Sequence, residues 1–299
     1  DSIIHSYPQW LVNKLKTDYK DDYKDIMKSY KERSYLSIRI NPLQITESQF
    51  IELLNKYSTK ILFQVGNVYY LDKSDILSTS EFKTGKLIIQ DASSYLAAIN
   101  LDVKTNEKVL DACSSPGGKS LTILQEFQNN KLKIDLISTD IHEHKIKLLL
   151  ELKKKYNYDN WEIILNDARN IELLNKKFDK ILLDVPCSGL GVIRKKPEKI
   201  YNVTSNDIKN IKKLQKEIFD SAYNSLSIGG TIIYSTCTFI INEDTNNLEY
   251  FLNKYKDLEV QEIEIPDNVD TKKDKFGGTY ITYKNKYLDG FYIAKLKKI

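Results

Sequence analysis

Between residues 108 and 234 the chain alternates short β-branched apolar runs with longer segments of helical spacing, and this limits the folds open to it more than any other feature. The apolar runs lie at 108–110, 134–139, 161–165, 181–183 and 231–234, and the helical spacings at 118–129, 143–156 and 206–227. Strands alternating with helices imply a mostly parallel, doubly wound sheet. A helix at 248–255 and strands at 258–265 and 291–296 are expected to complete it. Ahead of this region stands a smaller α/β pattern. Trp10, Leu11, Leu15 and Tyr19 have helical spacing, 35–40 reads as a strand ended by Asn41-Pro42, 47–57 as a helix capped by Thr46 or Ser48, and 61–65 and 68–71 as strands. The pattern changes near Gly85, so the expected division is 1–84 and 85–299.

With 41% hydrophobic and 29% charged residues, the 299-residue chain can bury a substantial core. No apolar window approaches the ~18 residues of a membrane span, and no secretory core follows the N-terminus, so a cytoplasmic setting is expected, with an organelle left open. The chain starts at Asp1 and its one methionine is Met27, which points to a start inside a longer protein. Net charge is only +4, yet 194–216 carries eight Lys/Arg against Glu198 and Asp207. Lying just past a glycine-marked cysteine turn, this run is expected to face phosphates.

All three cysteines sit in short polar turns: Asp111-Ala-Cys113-Ser114-Ser115-Pro116-Gly117-Gly118-Lys119, Asp184-Val-Pro-Cys187-Ser-Gly-Leu-Gly191 and Ser235-Thr-Cys237-Thr238. The first follows a strand and opens a helix, where glycines admit a ligand and free N–H groups favour polar ligand atoms. It matches neither the dinucleotide nor the triphosphate fingerprint. Asp140 ends the next strand, where a carboxylate can accept from ribose hydroxyls, and Asp167 follows the third, where it can accept from an exocyclic amine. A nucleoside cofactor without a pyrophosphate, such as S-adenosylmethionine, fits this series. Cys187 and Cys237 stand at later strand ends, whereas Cys113 reads as a small turn residue. Adding a thiolate to carbon 6 of a pyrimidine makes carbon 5 able to attack a methyl group. Asp184 is placed to neutralise N3, and Cys187 is the second thiol available for release.

These three turns, with Gly191-Val-Ile-Arg-Lys-Lys-Pro197, Asn242-Glu243, Gln90-Asp-Ala-Ser-Ser94 and Asp289-Gly-Phe-Tyr292, resemble the Nop/Sun family of RNA cytosine-5 methyltransferases, and most of all the bacterial Sun (Fmu) enzymes. Ser114, Ser115 and Val185 replace the family's usual alanines without removing a reacting group. The resemblance implies a Rossmann-like S-adenosylmethionine-dependent methyltransferase fold behind a small RRM-like, RNA-binding subdomain, with an upstream helical NusB-like domain absent. It implies Cys237 as nucleophile, Cys187 as release residue, and a cofactor pocket lined by 113–119, Asp140, Asp167 and Asp184. The implied substrate is a cytosine of small-subunit (16S) ribosomal RNA, free or in an incompletely assembled particle, with Arg39, Arg194, Lys195 and Lys196 holding phosphates. A monomer is expected.

Transfer RNA is the alternative substrate for the same chemistry, and a non-catalytic ribosomal RNA assembly factor is the alternative of another class. A thiol redox protein would need a close cysteine pair such as C-x-x-C, which the spacing lacks. A metal site is not expected, because His5 stands apart and His142 and His144, two residues apart on a helix start, should face different sides.

Overall fold

The computed structural model describes residues 7–129 and 134–299, so His5 lies outside the described residues. Two sheets organise the chain. The smaller contains β1 (Leu36–Ile40), β2 (Ile61–Val65), β3 (Val68–Leu71) and β4 (Leu87–Ile89) in the order β2-β3-β1-β4, all antiparallel neighbours. With helices Glu47–Lys56 and Ser80–Lys83 between them, the connection is β-α-β-β-α-β, as an RRM-like unit requires. Thr46, the N-cap, accepts from the Gln49 backbone N–H while the Gln49 side chain accepts from the Thr46 N–H, which starts the first of these helices. Since β4 belongs to this sheet, it closes past the expected boundary at residue 84.

Both faces of the small sheet are covered. Ile38, Ile40, Tyr69 and Leu71 pack with Phe50 and Leu54 of helix Glu47–Lys56, whereas Val65, Val68 and Tyr70 join Tyr95, Leu96 and Leu121 in the main core. An RRM binds RNA by stacking bases on exposed aromatics of its central strands. Here β3, including Tyr69 and Tyr70, is buried throughout, so that surface is closed.

The nine-stranded sheet is built on β5 (Lys108–Asp111), β6 (Asp135–Asp140), β7 (Trp161–Leu165), β8 (Phe178–Asp184) and β9 (Leu226–Thr236), which run parallel in the order β7-β6-β5-β8-β9. Burial on both faces accounts for the Val, Ile and Leu of the inner strands, whereas β7, at the edge, is only partly buried. The chain leaves β5 towards β6 and β7, then returns to its other side for β8, so the crevice at the carboxyl ends of β5 and β8 is the switch point where ligands bind in such sheets. Antiparallel strands β10 (Leu258–Gln261), β11 (Thr271–Lys273), β12 (Thr279–Ile281) and β13 (Phe291–Lys298) extend the far side, with β13 against β9. No helix among the described residues is long and apolar enough to cross a membrane.

Helices Gln9–Tyr19 and Tyr23–Ser29 leave the small sheet altogether. Leu11, Val12, Leu15, Ile26 and Met27 pack with Leu190, Ile193, Ile200 and Ile240, on the segments that follow β8 and β9. The Tyr19 hydroxyl donates to the Phe239 carbonyl at 2.5 Å.

Candidate active site

Asp111, at the end of β5, is fully buried and accepts from the Ser120 hydroxyl at 2.6 Å. Burial pushes its carboxyl up to about 7. The following turn is drawn onto β6: the Ser114 N–H and hydroxyl both donate to the Thr139 carbonyl at 2.9 Å, and the Gly117 N–H returns to the Ser114 carbonyl at 2.7 Å. Gly117 has φ +100°, and a Cβ there would lie 2.6 Å from Leu152. Ser115 and Pro116 form the crest of this turn, and Gly118 and Lys119 begin helix Gly118–Asn129. Burial, reinforced by Asp111, pushes the Cys113 thiol far up, in keeping with a small turn residue.

Lys119 reaches across the crevice. Its Nζ lies 2.5 Å from Asp184 Oδ2, at the end of β8, and the Ser235 hydroxyl donates to Asp184 Oδ1 at 2.9 Å. Burial opposes the Lys119 ammonium, but Asp184 outweighs it and holds the amine above its ordinary range. On the other side, Asp140 accepts from the His142 N–H at 3.1 Å, with Lys145 at 3.5 Å. Ile141 beside it keeps 50% of its surface exposed, an apolar wall next to a hydrogen-bond acceptor. A glycine turn closed to Cβ atoms, a carboxylate at the next strand end and an exposed apolar residue beside it suit a nucleoside cofactor. Asp167 is less free than its position suggested. It chelates the Arg169 guanidinium at 2.6 to 3.1 Å, and those bonds hold its carboxyl below the usual range.

The two remaining turns meet. Cys187 Sγ and Cys237 Sγ are 3.1 Å apart although 50 residues separate them. Chain spacing therefore missed a close thiol pair, which strand adjacency creates: β8 and β9 are parallel neighbours, with Asp184 opposite Ser235. The Ser188 and Thr238 hydroxyls share a 2.8 Å hydrogen bond, and the Gly191 N–H donates to the Cys237 carbonyl at 2.9 Å. A Cβ on Gly191 would lie 1.9 Å from the Gly290 oxygen and 2.9 Å from that of Cys237. The hydrogen bond to Cys237, with burial, pushes the Cys187 thiol up and keeps it protonated.

The expected phosphate ligands separate. Arg39 is 0% exposed, donates through Nε to Gln90 at 2.6 Å and faces Glu126 at 3.7 Å, so it cannot reach a phosphate. Arg194 is also structural: Nε donates to the Ser29 carbonyl, and Nη1 to those of Asn285, Lys286 and Leu288. Lys195 bridges Asp91 at 2.6 Å and Asp289 at 2.7 Å. Lys196 is exposed, as are Lys209 and Lys213 of the same basic run. Among the described residues no group of three His, Cys, Asp or Glu could hold a metal. The His142 and His144 rings, expected on different sides, stack at 5.4 Å because His142 is an extended N-cap outside the helix. Sequence reasoning missed Ser188, Ser235 and Thr238, since each depends on a neighbour from another segment, and Ile141, whose exposure only the fold reveals.

Residues 98–297 match the family described as 16S rRNA methyltransferase RsmB/F. The chain belongs to that family. Residues 7–62 also match the ferredoxin-like domain of the RsmF/B-like methyltransferases, in agreement with the small sheet. Ribosomal RNA small subunit methyltransferase B of Shewanella oneidensis is 29% identical over 100% of this chain and 68% of its own length. The probable ribosomal RNA small subunit methyltransferase B of Bacillus subtilis is 30% identical over 98% of this chain and 66% of its own. The chain thus spans about two thirds of these relatives. A methyltransferase homolog from Pyrococcus horikoshii superposes with a TM-score of 0.86 at 25% identity, covering 100% of this chain and 97% of that one. Membership of the RsmB/F family bears out the Nop/Sun resemblance and makes this chain an S-adenosylmethionine-dependent RNA methyltransferase.

Proposed function

We propose that the protein methylates carbon 5 of a cytosine in small-subunit (16S) ribosomal RNA through a covalent bond between Cys237 and carbon 6. The observation that carries this reading is the meeting of the Cys187 and Cys237 thiols, 3.1 Å apart, with the Lys119–Asp184 pair at the adjoining strand end. S-adenosylmethionine, held by residues 113–119, Asp140 and, once released from Arg169, Asp167, supplies the methyl group when bound. Cys237 loses its thiol proton to water as its sulfur adds to carbon 6, the ring electrons move to N3, and N3 takes a proton that passes from the Lys119 ammonium through the Asp184 carboxylate. After carbon 5 is methylated, water takes its proton, the carbon 5–carbon 6 double bond re-forms as the Cys237–carbon 6 bond breaks, and the N3 proton returns through Asp184 to Lys119. Cys187 promotes this release. The cytosine must leave its stack to reach the thiols, so a loop or bulge is the expected target.

The test is mass spectrometry of nuclease-digested, unmethylated ribosomal RNA after incubation with the protein and S-adenosylmethionine. New 5-methylcytosine at one small-subunit position is the expected result. Modification of transfer RNA instead would move the substrate, and modification of neither by cofactor-loaded protein would overturn the reading.

A further inference from the structure

Glu243 lies behind the cysteine turns with no assigned role. It is 0% exposed, and Oε2 accepts from the Ser188 N–H at 2.9 Å and from Gln215 Nε2 at 3.1 Å. Gln215 Nε2 also donates to the Pro186 carbonyl at 2.9 Å, so one carboxyl oxygen and one amide hold the backbone on both sides of Cys187. Gln215 is fixed in turn by Asn247, which donates to its Oε1 at 2.8 Å and to the Tyr234 hydroxyl at 3.1 Å. Ser188 then ties this turn to Thr238, next to Cys237. Burying a carboxyl is costly, and burial pushes that of Glu243 up. Oε1 has no hydrogen-bond partner.

We propose that Glu243 is a positioning residue that, through Ser188 and Gln215, holds the Cys187 thiol against Cys237 and so couples methyl transfer to release. The inference deepens the proposed reaction and rests on it for the release step alone. The apposition itself is testable without RNA. Diamide oxidises two adjoining thiols to a disulfide: both sulfurs lose a proton, one S–S bond forms, and the diamide N=N is reduced to a hydrazine.

In Glu243→Ala, the Cys187–Cys237 cross-link, mapped by mass spectrometry, should form more slowly by on the order of tenfold to a hundredfold, the cost of displacing reacting groups by about 1 Å. With RNA and cofactor, the same variant should accumulate a denaturation-resistant protein–RNA adduct, the outcome also expected of Cys187→Ala. Glu243→Gln keeps an oxygen able to accept both hydrogen bonds and should recover both readouts, which a requirement for negative charge would not allow. Thr238→Val, which cuts the tie to Ser188, should also slow the cross-link and decides the matter if Glu243→Ala does not fold. Wild-type cross-linking in folded Glu243→Ala, or in Thr238→Val where Glu243→Ala does not fold, would overturn the proposal, as would equal impairment in Ala and Gln. If wild-type protein neither methylates nor traps RNA while the cross-link follows this pattern, the reaction fails and the positioning role stands.

Discussion

On the proposed reaction Cys187 and Cys237 have different tasks and are separable by experiment. Cys237→Ala should abolish both methylation and the protein–RNA adduct, whereas Cys187→Ala should leave an adduct visible on denaturing gels. Asp111 offers a measurement that needs no RNA. Its carboxyl is raised to about 7 when folded, from an ordinary 3.8, so folding favours the protonated form. The favourable contribution is complete below the unfolded value and is lost as pH rises to about 7, an effect on the order of 4 kcal/mol. Denaturant titrations from pH 4 to 7.5 should show wild type losing stability relative to Asp111→Asn. At this scale the sequence was readable where one residue's chemistry suffices: both thiols and Asp184 do converge. The ion pair that Asp167 makes with Arg169, two residues on, was not read from the sequence.

Among the elements, the turns after β8 and β9 are the least tolerant of change. Gly191→Ala would drive a Cβ into the Gly290 and Cys237 carbonyls. Such overpacking costs about 1–3 kcal/mol. A shift of about 1 Å at the thiols adds on the order of a hundredfold in rate. Single-turnover methylation should therefore fall much further than the melting temperature. The inner parallel strands were legible because burial on both faces enriches them in Ile, Leu and Val, and β7 because its apolar run stands between helical segments. Strands β11 and β12 were not, since each has three residues and β11 is exposed throughout, leaving no period to detect. The N-terminal helix showed its apolar stripe but not its partner, because the surface it covers is built from residues 190–240.

For the whole molecule, RNA affinity should reside in the exposed lysines following the Cys187 turn. Replacing Lys196, Lys209 and Lys213 with Gln should weaken RNA binding and lower the slope of log affinity against log salt by about 2, given roughly 0.7 per contact on single strands. Arg39→Leu should instead lower the denaturation midpoint and leave that slope unchanged. A salt-dependent defect in Arg39→Leu alone would return it to the interface. From sequence, Arg39 was a free cation in a strand. Its partners Gln90 and Glu126 come from segments far along the chain, so its burial follows from the assembly of the two sheets.

The Gly290 N–H donates to the Gly191 carbonyl at 3.0 Å, and β13 pairs with β9 from Tyr292 opposite Thr236 onwards. Both thiols precede this strand in the order of synthesis. A chain emerging from the ribosome therefore carries both thiols before the segment that fixes the turns around them. On the proposed reaction, the growing chain holds the attacking thiol before it has the geometry to trap RNA.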